Sequence, residues 1–295
     1  MPQYTSIAII YNPNSTGSSE DLARDLDTKL RQAMPGFPVE LIATTHAGHA
    51  EELAYDRARA STNALIVSAS GDGGYHEVVN GLMRAKAEGA DPVAGLLPAG
   101  NANDHFNNLH HHDIVEAIAG GIEQKIDLLE LSGTRDGKPY NRYAHSYIGL
   151  GLTPQAGAEL NKTKLNWLNE MWIVVKVLFT LRPVRLMVDG HRQAFDSLIF
   201  SNVTRMSKVI TLAEDASAKD GKFEVTAFHR RNKLRLIASL VKASTLGLAG
   251  DTQVTSYKFT TIRRTLVQLD GEITTLDATT EVKIGLARAD FRCIV

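Results

Sequence analysis

A single cysteine, Cys293, stands in a chain of 295 residues. No intramolecular disulfide and no cysteine-built metal centre can form from it, and a lone thiol fits a reducing compartment, so a cytoplasmic location is expected. Long hydrophobic runs are missing too. The most apolar stretch, Trp172 to Leu181, is interrupted by Lys176 and falls well short of the ~20 residues that a bilayer span needs. The opening MPQYTSIAIIYNPN has neither a basic start nor a long apolar stretch, so it does not read as a secretory signal. No repeat period, low-complexity tract or Pro/Ser linker is present. The net charge is only −1, but residues 160–235 hold 14 Lys/Arg against 7 Asp/Glu, a net of +7, and the remainder sums to −8. At 43% apolar and 22% charged residues the chain is of ordinary globular composition, long enough for two domains.

The first part alternates strand-like and helix-like segments. Residues 6–12, 39–45, 64–70 and 93–99 are short β-rich runs, and 18–34, 49–61 and 75–89 carry apolar positions spaced by three and four. Ser18 or Ser19 is placed to cap the first helix, ahead of Glu20 and Asp21. Such alternation predicts a parallel sheet with helices on both faces, whose ligands bind beyond the carboxyl ends of the strands. After about residue 128 the pattern changes. Long and short apolar helices are expected at 156–181 and 232–246, and the remainder reads as strands with Asp-Gly turn signals, an antiparallel β-rich domain.

The loops after the strands carry the chemistry. Asn12-Pro13-Asn14-Ser15-Thr16-Gly17 follows the first strand, Ser70-Gly71-Asp72-Gly73-Gly74 the third, and Pro98-Ala99-Gly100-Asn101-Ala102-Asn103-Asp104 the fourth. A glycine-rich turn before a helix gathers backbone N–H groups and the positive end of the helix dipole, which suits an anion. Three such loops at one sheet edge describe a polyphosphate cleft. Neither a GxxxxGK[ST] loop nor a GxGxxG fingerprint is present, so the cleft must use another scheme.

These residues resemble a known family. SGDGGYHEVVNG (70–81) is similar to the GGDGTxxEVxNG signature of the diacylglycerol kinase catalytic domain family, YNPNSTG (11–17) to its NPxSG segment and LLPAGNANDHFNNL (96–109) to its PxGTxNDFAR segment. ASAKDGKFEV (216–225) and LDGE (269–272) resemble the PxAxxDGxLdv and DGE motifs, in family order and spacing. The resemblance implies an ATP-binding α/β domain followed by a β-sandwich-like domain, with phosphoryl transfer to a lipid hydroxyl. It divides the chain into 1–128 and 129–295, with return of the last strand to the first domain as an option. Asn12, Asn14, Thr44, Ser70, Gly71, Asp72, Gly73, Gly74, Asn101 and Asp104 would hold ATP. Asp270 or Glu272 would take the acceptor's proton. A structural Mg²⁺ would sit at Asp220 with backbone groups of Ser217 and Lys222. Phosphoryl transfer asks a protein chiefly to position groups and neutralise charge, and these carboxylates suffice for that. Asp220-Gly221 and Asp270-Gly271 also read simply as β-turns.

The chain departs from the family at several points. Glycine stands at position 74 and Asn101 at another position where the family has threonine, and the glycine-rich run and proline before the DG segment are absent. A non-catalytic lipid- or nucleotide-binding paralogue is therefore one alternative, and an NAD kinase, which shares a GGDG-type loop, is another. His110-His111-His112-Asp113 reads as a solvated loop rather than a metal site. His76 and His105 are candidates for phosphate contact or for the core. The basic region beside Trp167 and Trp172 suggests peripheral association with an anionic membrane, and no nucleic-acid reader motif is present. A homodimer is a further candidate.

Overall fold

A computed structural model describes residues 4–15, 17–100, 103–109, 112–155, 182–206, 210–211, 217–230 and 252–294. Asn101 and the two expected apolar helices lie outside these residues. The chain falls into two units, Met1–Asp127 with Arg288–Val295, and Leu128–Ala287.

In the first unit β1 (Ile7–Tyr11), β2 (Val39–Ala43), β3 (Leu65–Ser70) and β4 (Val93–Pro98) pair in parallel in the order β4-β3-β1-β2. The end of the chain's last strand joins beside β4, with Cys293 opposite Ala94. Among the described residues five helices accompany them: α1 (Ser19–Ala33), α2 (His49–Ala60), α3 (Asp72–Ala87), α4 (Asp104–Asn108) and α5 (Ile114–Gly120). All five residues of β1 are buried, as a strand covered on both faces must be. On one face Ile7, Ile9, Leu65 and Val67 meet Leu26 and Leu30 of α1 and Ile118 of α5. Helix α1 buries Ser19, Ala23, Leu26 and Leu30, one stripe at helical period, with its acids in the first turn and Arg31 in the last. Helices α2 and α3 pack on each other. Glycine makes their approach possible, because a Cβ on Gly81 would run into the Glu51 carbonyl.

Ser18 occupies the N-cap of α1 but makes no side-chain cap bond. Ser19 is instead drawn into the fold, where its hydroxyl donates to the Ala69 carbonyl (2.5 Å) and accepts from the Asn12 N–H (3.2 Å). Asp113 is the true cap of α5, accepting from the N–H groups of Val115 and Glu116.

The second unit takes β5 (Glu123–Arg135) from Leu128 onward, then β6 (Lys138–Ala144), β7 (Tyr147–Gly151), β8 (Val184–Val188), β9 (His191–Ser201), β10 (Arg205–Met206) and β11 (Ile210–Thr211). It continues with β12 (Phe223–His229), β13 (Thr252–Val254), β14 (Tyr257–Thr261), β15 (Thr265–Leu269), β16 (Glu272–Leu276) and the first part of β17 (Glu281–Ile294). Antiparallel pairs run β16-β15-β7-β9 and β9-β8-β14-β17, with β12 on β9 and β6 on β5. Leu150, Leu198, Phe200, Phe223, Phe259 and Val267 belong to its core. The expected α/β domain with a parallel sheet, followed by a β-rich region, is the observed fold.

Among the described residues three hairpins close on Asp-Gly pairs with both residues at positive φ: Asp136-Gly137, Asp189-Gly190 and Asp270-Gly271. This is the two-residue loop whose twist matches the strands, and Asp and Gly are the residues that tolerate it. The first two aspartates are exposed and the third is buried.

Candidate active site

The three loops of the first unit meet backbone to backbone. A Cβ on Gly17 would collide with the Ala99 carbonyl, and one on Gly71 would lie 2.9 Å from the Cα of Gly100. Glycine is therefore required by the seating of one loop on another. The run after β3 is barely a loop at all. Gly71 is the N-cap of α3, and Asp72, Gly73 and Gly74 form the helix's first turn. Its N–H groups are the ones a helix cannot satisfy internally, and Gly73 and Gly74 have no side chain to cover them.

The other expected nucleotide residues among those described lie on the segments that follow β1, β2 and β4. Asn12 Oδ1 accepts the N–H of Asn14 (2.9 Å), which curls the first loop. Thr44 follows β2 and donates its N–H to the Tyr11 carbonyl (2.8 Å). Asp72 Oδ1 accepts the N–H of His105 (3.3 Å), so this carboxylate ties α3 to the start of α4. Asp104, the first residue of α4, is buried. Asn103 holds the intervening turn, accepting from the Gly100 N–H and donating to its carbonyl (3.0 and 2.9 Å). His76 and His105 are both buried, His76 beside Asn80 of its own helix and His105 against the Tyr75 ring.

Glu77 is a residue the motif contained but sequence reasoning gave no role. Its carboxylate accepts the N–H groups of Gly48 (2.9 Å) and Ala50 (3.2 Å), so α3 caps the start of α2. The contact spans almost thirty residues, and only its place inside a recognised signature could have drawn attention to it.

In the second unit Asp270 is fully engaged. Its Oδ1 accepts the N–H groups of Ser146 (2.9 Å) and Tyr147 (3.1 Å), and its Oδ2 accepts that of His145 (2.9 Å). The His145 ring is equally buried, with Nε2 3.4 Å from Asp270 Oδ2 and Nδ1 2.8 Å from Ser146 Oγ. Neither histidine nor serine was singled out from the sequence, where they lie some 125 residues from Asp270. Glu272, two residues after Asp270, is exposed. Asp220 Oδ1 accepts the N–H of Lys222 (3.0 Å), a short Asx turn, with Ser217 shortly before it.

No group of three His, Cys, Asp or Glu side chains is arranged to hold a metal among the described residues. What is present fits Mg²⁺ bound together with phosphate, since that ion needs only one or two carboxylates beside phosphate oxygens and water. Asp72 and Asp104 at the loop cluster meet that need, and Asp220 with neighbouring backbone offers one carboxylate. No helix among the described residues is long and apolar enough to cross a membrane.

A parallel sheet with glycine loops at its strand ends, followed along the chain by a β-rich unit, is a fold found among solved kinase structures. The yeast NADH kinase solved with NADH has it too, at 12% identity and a TM-score of 0.57 over 99% of this chain and 84% of that one. Residues 6–131 match the family model of the diacylglycerol kinase catalytic domain. A diacylglycerol kinase from Bacillus subtilis (strain 168) is 28% identical over 288 residues, 90% of this chain and 88% of that one. The crystal structure of a diacylglycerol kinase from Bacillus anthracis str. Sterne superposes with a TM-score of 0.72 at 17% identity, covering 100% and 98% of the two chains. The chain is a kinase.

Proposed function

We propose that this kinase transfers the γ-phosphoryl group of ATP to a hydroxyl of a diacylglycerol-like lipid, with Mg²⁺ as cofactor. The observation that carries this reading is the seating of the loops after β1 and β3 on the loop after β4, beside the glycine-built first turn of α3 and inside the stretch that matches a diacylglycerol kinase catalytic domain. The backbone N–H groups of Gly73 and Gly74 bind phosphate oxygens, and the loops after β1 and β4, carrying Asn12, Asn14, Asn101 and Asp104, complete the cradle. Thr44 lines the nucleotide from the end of β2. Asp72 and Asp104 hold Mg²⁺, which when bound neutralises charge on the phosphates. A second, structural Mg²⁺ is assigned to Asp220 with backbone groups of Ser217 and Lys222.

The Asp270–Glu272 turn supplies the carboxylate that accepts the proton of the lipid hydroxyl. The two residues differ in what surrounds them. Three N–H donors and a buried imidazole fix Asp270 in place, whereas Glu272 is open to water. Phosphoryl transfer depends more on placement than on base strength, so a rigidly held carboxylate is compatible with the role. Purified Asp270→Asn and Glu272→Gln proteins should separate them. The variant lacking the base loses transfer and still binds ATP, and unchanged rates in both would remove the turn from the mechanism. Running the same assay with NAD as acceptor distinguishes a lipid kinase from a dinucleotide kinase.

The +7 of residues 160–235 supports peripheral attachment to an anionic membrane from the cytoplasm. Sedimentation with anionic but not neutral vesicles, abolished by high salt, is the expected result, and salt-insensitive binding would contradict it.

A further inference from the structure

Side chains at positions 70 and 74 exclude one another. A Cβ added to Gly74 would lie 2.6 Å from both Cβ and Oγ of Ser70, closer than carbon atoms of packed side chains approach. The space beside the first turn of α3 thus takes one side chain, and this chain fills it from the end of β3. The GGDGT signature fills it from the helix with threonine and leaves glycine on the strand. Serine at 70 and glycine at 74 are therefore two halves of one exchange.

We propose that Ser70 supplies the hydroxyl that position 74 has lost, donating its O–H to a phosphate oxygen of the bound nucleotide. The proposal rests on the nucleotide reading above. Ser70 Oγ lies 2.7 Å from the buried Ser68 Oγ and donates to the Gly71 carbonyl at 3.0 Å. A hydroxyl has one proton to give, so Ser68 is the donor of the 2.7 Å bond and Ser70 the acceptor. A phosphate oxygen at the α3 start offers Ser70 a charged acceptor in place of a neutral carbonyl, which makes a stronger bond. Ser68 continues to donate from behind and polarises the Ser70 hydroxyl toward it. The exchange moves the donor from helix to strand and keeps one hydroxyl at the phosphates.

Two double variants test this, because threonine and valine have the same shape and differ in the hydroxyl alone. Ser70→Gly with Gly74→Thr, and Ser70→Gly with Gly74→Val, should melt together. Calorimetric titration with Mg-ATP should show the threonine form within about twofold of wild type and the valine form about 5- to 20-fold weaker. Gly74→Thr alone should melt lower than either double variant, because both side chains then compete for one space. Equal Mg-ATP affinity of the two double variants would overturn the hydroxyl role, and a Gly74→Thr protein as stable as wild type would overturn the exclusion. If wild type itself binds no Mg-ATP, the nucleotide reading fails first, and the melting comparison still decides whether the two positions exclude each other.

Discussion

Replacing Asp270 with asparagine alters one atom in a turn whose backbone asparagine tolerates equally well. The consequence follows from the three N–H groups that converge on the carboxylate. If the asparagine oxygen keeps Ser146 and Tyr147, the new amide nitrogen faces the His145 N–H at the distance now occupied by a hydrogen bond, donor against donor. A buried donor left without its acceptor costs about 1–3 kcal/mol, and the two surviving bonds lose charge assistance. A total of about 2–4 kcal/mol corresponds to a fall in melting temperature of about 5–12 °C for a unit of this size. Asp136→Asn and Asp189→Asn change the same residue in the same turn type at exposed positions, and should shift stability by no more than about 0.5 kcal/mol. Thermal unfolding of the three variants side by side is the assay. An Asp270→Asn protein that melts with the other two would refute the inference that the buried carboxylate holds residues 145–147.

Three further outcomes follow from the first unit. Gly71→Ala should weaken Mg-ATP binding at least tenfold with a smaller loss of stability, because its Cβ would press on the Gly100 backbone and part the two loops; calorimetry reads this directly. Glu77→Gln keeps one acceptor for the start of α2 and loses the other, so a destabilisation of about 1 kcal/mol is expected in urea titration. Arg292 pairs with Glu123 and Asp91 and donates to Asn63, fastening the last strand to the first unit. Arg292→Ala should cost about 2–3 kcal/mol, and hydrogen exchange should rise first at residues 291–294.

Regular elements of the first unit were legible wherever apolar periodicity was long enough to measure. The strands at 6–12, 39–45, 64–70 and 93–99 and three helices were found within a few residues. The exception is the start of α3, which lies at Asp72 rather than 75. Glycines read as loop, but the first turn of a helix needs no internal N–H acceptors and so tolerates them. Helices α4 and α5 are too short for a period to register. In the β-rich unit Asp-Gly marked hairpins at 136, 189 and 270 but not at 220, and nothing local distinguishes Asp270 from Asp136 or Asp189. The difference is made by residues 145–147, some 125 residues earlier, which lead into β7. Ser19 shows the same limit: the sequence offers a helix cap, and burial against Ala69 turns the hydroxyl to the sheet.

Transfer of phosphate to lipid is the claim on which the rest depends. Purified protein incubated with Mg²⁺ and γ-labelled ATP over diacylglycerol, ceramide, a sphingoid base and phosphatidylglycerol should label one lipid, diacylglycerol before the others. Absence of label in every lipid, with the protein folded and ATP bound, would contradict it.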